Sequence, residues 1–114
     1  VDGNAIIVEA LSDYEVTTDD IETRPSPLGD TYVVSVCAVP GPESSLTLNG
    51  VMDVFVAEIA NLPDGIDAVA VSLTDCAEEG SFTRTIGVDM ETLQSFSQST
   101  IELKDFQRKW QPLP

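Results

Sequence analysis

The run Thr31-Tyr32-Val33-Val34-Ser35-Val36-Cys37-Ala38-Val39 is what most limits the folds open to this chain. Its valines and tyrosine favour extended backbone, and apolar side chains fall on both faces of the pleat. Such a strand belongs in the middle of a sheet, with helices over at least one side. Proline and glycine punctuate it at both ends. Pro25-Ser26-Pro27-Leu28-Gly29-Asp30 reads as a turn in which Gly29 can take positive φ, and Pro40-Gly41-Pro42 stops the strand.

The other periodic segments follow from this anchor. Asn4 to Tyr14 carries Ile7, Leu11 and Tyr14 at helical spacing, with Asp2 or Asn4 able to cap, and predicts a helix. Ile21 to Arg24 is a short extended piece. Ser45 to Ala60 places Leu48, Val51, Met52, Phe55, Val56 and Ile59 on one broad stripe, a second helix, which Leu62-Pro63-Asp64-Gly65 ends. Ile66 to Leu73 alternates, with Val69, Val71 and Leu73 opposite Ala68, Ala70 and Ser72. Phe82, Arg84, Ile86 and Val88 form its hairpin partner across the acidic connection Asp75 to Gly80. Asp89 can cap a short helix holding Met90, Leu93 and Phe96. Ser99 to Glu102 spells a capping box before a last helix with Leu103, Phe106 and Trp110, and Pro112 and Pro114 close the chain.

The order is helix, strand, strand, helix, strand, strand, helix, helix. It predicts one α+β domain over residues 1–114: a two-layer sandwich whose antiparallel or mixed sheet of about four strands is packed by helices mainly on one face. With 114 residues, 42% of them hydrophobic, the chain can bury a core.

Charge decides which partners are excluded. Twenty Asp and Glu against five Lys and Arg give a net charge of −15, with no His. A field of that sign repels nucleic acid and anionic lipid, and no apolar run reaches the roughly 18 residues that cross a bilayer. Neither nucleic acid nor membrane insertion is expected. Scarce Lys with abundant Asp, Val, Ala and Thr fits adaptation to high salt, where screening removes self-repulsion. An ordinary acidic secreted domain, and a mimic of nucleic acid that inhibits a basic protein, are the rival readings. On the first, melting temperature climbs steeply from dilute buffer to molar salt. A melting point flat across that range would overturn it.

Catalytic chemistry finds little footing. Without His, neither a Cys–His nor a Ser–His–Asp site can be built, and Lys104 and Lys109 sit in a charged, solvated segment. Twenty acids make pairs such as Asp19-Asp20 and Glu78-Glu79 by chance, so they do not mark glycosidic chemistry. The seven glycines are scattered and form no phosphate loop. Thr17 to Glu22, Asp64 to Asp67 and Asp75 to Glu79 are acidic, yet none has calcium-loop spacing. No cofactor and no enzymatic activity are expected.

Two features remain. Cys37 and Cys76 can form one disulfide, which would place the chain in an oxidising, extracytoplasmic compartment. The opening at Val1, with no basic and apolar leader, is what a domain set behind a signal peptide, lipid anchor or membrane helix would show. The second feature is the C-terminal segment, where Lys104, Arg108 and Lys109 supply three of the five cations. Lys104 and Arg108 share a helix face, Asp105 and Lys109 are spaced to pair, and Phe106 and Trp110 suit docking on the domain. The same residues, Lys104, Arg108 and Trp110, are the candidate interaction surface for an acidic protein partner or another copy of the chain. An accessory or interaction domain of a secreted or envelope-anchored protein is the function expected.

Overall fold

Alternation along two valine-rich segments builds the centre of the protein. In the computed structural model, which describes residues 3–12, 21–37, 42–74 and 83–113, β2 (Gly29–Cys37) and β3 (Ala68–Thr74) lie parallel, with Val34 opposite Val71. β1 (Ile21–Ser26) pairs antiparallel with β2, and β4 (Thr83–Asp89) antiparallel with β3. A short β5 (Gln111–Leu113) adds antiparallel to β4. The result is a five-stranded mixed sheet whose order is the chain order, β1-β2-β3-β4-β5. The expected α+β class and sandwich layers are present. The strand count is one higher than expected.

Every second residue turns to the helices. Tyr32, Val34 and Val36 of β2, Val69, Val71 and Leu73 of β3, and Ile86 and Val88 of β4 join one core. Against them pack Ile7 and Leu11 of the α1 (Gly3–Ala10) segment and Leu48, Val51, Met52 and Phe55 of α2 (Pro42–Ala57). Leu93 of α3 (Met90–Ser97) and Phe106 of α4 (Leu103–Arg108) complete the layer. Tyr32 and Phe55 meet edge to face with centroids 6.2 Å apart, locking sheet to α2. The opposite face of the sheet holds small residues, among them Ala68, Ala70, Ser72, Thr85 and Gly87, and these are buried as well. Gly87 is closely approached there: a Cβ would stand 2.5 Å from Leu113 Cδ1 of β5, which can swing aside, and 3.1 Å from Val69 O, which would have to give.

Several boundaries shift from the sequence reading, each for a local reason. β1 runs through Pro25 to Ser26, because an edge strand can take a residue without an N–H on its open side. The turn shrinks to Pro27 and Leu28, and Ser26 Oγ accepts the Leu28 N–H at 3.0 Å. Gly29 takes φ +108°, and any side chain on it would collide with the Asp67 carboxylate. That carboxylate accepts the Asp30 N–H at 3.0 Å, while the Asp67 N–H donates to Asp30 O at 2.7 Å and Asp67 O accepts from Met90 N at 2.9 Å. One residue thus ties the first hairpin to the start of β3 and of α3. α2 starts at Pro42, where the missing N–H costs nothing, and gives way to a 3-10 turn at Ile59–Asn61. Asp89 caps α3 as expected, accepting from Thr92 N at 3.1 Å and from Thr92 Oγ1 at 2.6 Å.

The Ser99–Glu102 capping box does not form. Ser99 has φ +61° and ends α3 instead: its N–H donates to Phe96 O and that of Thr100 to Ser95 O, the paired bonds of a left-handed helix stop. Glu102 stands at the N-cap of α4 without a side-chain bond. Asp2, Tyr14, Cys76 and the Asp75–Gly80 connection lie outside the described residues.

Candidate functional site

α4 is six residues long, too short to hold itself in water, and tertiary contacts fix it. Phe106 is fully buried and stacks on Phe96 of α3 with centroids 4.3 Å apart and planes 5° from parallel. Gln107 Nε2 donates to Asn49 Oδ1 of α2 at 3.0 Å. The helix ends at Arg108, so Trp110 falls beyond it, partly buried, and meets Phe106 edge to face at 5.5 Å. Its indole N–H is buried without an acceptor. Docking therefore rests on Phe106, with Trp110 laid across its edge.

The side chains not used for docking form the outward face. Leu103 is 51% exposed, the one large hydrophobic so exposed among the described residues. Lys104, next in the chain, and Arg108, one turn beyond Lys104, are exposed as well. The expected Asp105–Lys109 pair is not the one formed. Arg108 Nη1 reaches Asp105 Oδ1 at 3.8 Å, a solvated i,i+3 contact of small worth. Lys109 turns the other way and shares a cleft of about 240 Å³ with Asp89, Glu91, Thr92, Ser95 and Ile101. The outward side of α4 thus carries the cations Lys104 and Arg108 together with the apolar Leu103. Leu103 was legible only as a flank of the docked face, since its i,i+3 spacing to Phe106 is the same for either orientation.

Cys37, the other candidate, is the exposed last residue of β2, opposite Thr74 in the parallel register. A further cleft of about 250 Å³ lies between the 3-10 turn, the Leu62–Ile66 loop and the first half of α3. Among the described residues no group of three His, Cys, Asp or Glu side chains is placed to hold a metal ion, and no helix is long and apolar enough to cross a membrane. No protein-family model, curated protein or solved structure matches the chain.

Proposed function

We propose that this chain is a non-enzymatic interaction domain of an extracytoplasmic protein, and that it binds an acidic partner surface through the Leu103, Lys104 and Arg108 face. The observation that carries this is the division of labour on α4: Phe106 is spent on docking while an apolar residue and two cations remain outside. An apolar centre with charged neighbours is the pattern of a recognition patch, and its sign is opposite to that of the rest of the chain. The absence of His from the sequence removes the usual general base and weighs against hydrolytic chemistry.

The extracytoplasmic part rests on the cysteines. No free cysteine stands among the described residues, and Cys37 carries no free thiol. The chain has one other cysteine, and we propose that Cys76 is its partner, two positions past the residue that faces Cys37 in the sheet.

A synthetic peptide of alternating Glu and Leu is a direct probe of the α4 face. The intact domain should bind it, and Lys104→Glu with Arg108→Glu should weaken binding by about tenfold, equivalent to 1.4 kcal/mol, with the variant still folded. A folded double variant that binds as well as the parent would remove the α4 face from recognition.

A further inference from the structure

The cleft beside α3 has the chemistry to receive the α4 face. Ile59, Leu62, Ile66 and Met90 give it an aliphatic wall, and Asp64 lines it with a carboxylate. No basic residue lines it. Its volume of about 250 Å³ accommodates an aliphatic side chain with room for the charged neighbours at its mouth. The chain's own α4 leaves it empty: α4 packs on α3 through Phe96 and Phe106, whereas the cleft uses Met90 and Gln94, and Leu103 is not among its lining residues.

We infer that the acidic partner of α4 is a second copy of this chain, with Leu103 seated in the Ile59–Met90 cleft and Lys104 and Arg108 over its acidic rim. The inference rests on the recognition face proposed above. Charge complementarity selects the occupant. Outside the C-terminal segment the chain has only Arg24 and Arg84 as cations, and Arg24 is held by Glu22 at 2.9 Å. A copy of this protein therefore offers a neighbour's α4 a strong excess of carboxylates, and the aliphatic side chains of the cleft fix where it stops. Knob and cleft are different surfaces, so two copies either pair reciprocally, each knob in the other's cleft, or join head to tail into a ring or filament. Two molecules of charge −15 repel at long range. Salt screens that repulsion over a few ångström while leaving the apolar contact in place, so association should strengthen as salt rises.

Sedimentation velocity on the full chain, from dilute buffer to molar salt, tests this. The expected result is an apparent mass above the monomer that rises with protein concentration and with salt. Leu103→Glu alters an exposed helix start where an acid is welcome, and Ala60→Arg fills the cleft from an exposed position. Each variant should remain folded and lose association by about tenfold or more. Mixed together, the two should form a dimer and stop there, because one intact knob meets one intact cleft. An Ala60→Arg protein that self-associates like the parent would overturn the pairing, as would a mixture that stays monomeric. A parent that is monomeric throughout yet binds the Glu-Leu peptide would overturn self-docking and leave the acidic-partner reading standing. Failure of both would remove the two together.

Discussion

Truncating Phe106 to Ala is expected to cost about 3–5 kcal/mol, the usual loss for a large aromatic removed from a close-packed interior. Phe106 is fully buried, stacked on Phe96 and edged by Trp110, so its ring is the joint between α4 and the rest of the domain. A domain of this size is typically stable by about 5–15 kcal/mol, so the loss is a large fraction of the total. Trp110→Ala should cost clearly less, although tryptophan is the bigger side chain. The indole is only partly buried, and its removal also relieves an N–H held from water without an acceptor, worth about 1–3 kcal/mol. Urea unfolding followed by circular dichroism measures both, with equal slopes showing that the denatured states are comparable. Trp110 is the only tryptophan, so its emission should redden in Phe106→Ala as α4 loosens. A Phe106→Ala protein within about 1 kcal/mol of the parent, or a costlier Trp110→Ala, would show that docking is organised differently.

Reduction of the proposed Cys37–Cys76 bond should have the next largest effect. The bond would close a loop of about 40 residues, worth about 4 kcal/mol in the chain-entropy model. That stabilisation acts by restricting the unfolded chain, so the urea midpoint of the native protein should fall on adding reductant with little change in the folded spectrum. A thiol titration on unreduced, denatured protein decides whether the bond exists. Two reactive thiols would overturn it, and with it the argument for an oxidising compartment.

What could be read from sequence followed from periodicity. The alternation of Val69, Val71 and Leu73 against Ala68, Ala70 and Ser72 assigned β3 to its faces, and the stripe from Leu48 to Phe55 assigned α2 to the core. Asp89 was legible as a cap because its role is settled within three residues. β5 was not legible. Three residues carry no period, Pro112 argues against a strand, and the segment pairs only because β4 offers an edge and Gly87 leaves room for Leu113. Ser99-Glu102 misled for a different reason: hydroxyl residues suit both ends of a helix. Here Ser97 and Thr100 bond back to the carbonyls of Gln94 and Ser95, so the cluster stops α3 rather than starting α4. The cationic segment was visible as composition. The cleft was not, because residues 59–66 and 90–94 meet only through the fold.

The sheet's order has a consequence for how the chain reaches this state. Strands that lie side by side in chain order can be added one after another, and the antiparallel pairings β1–β2 and β3–β4 each join consecutive strands. The parallel β2–β3 pairing is the exception, bringing Thr31 beside Ala68 across the whole of α2. Loop-closure entropy is lost there before any contact compensates it, which makes that junction the natural bottleneck of folding. Cys37 ends β2 and Cys76 follows the last residue of β3 by two positions in the sequence, so the proposed bond would span this same junction. An oxidised chain would therefore begin its search with the slowest encounter already made.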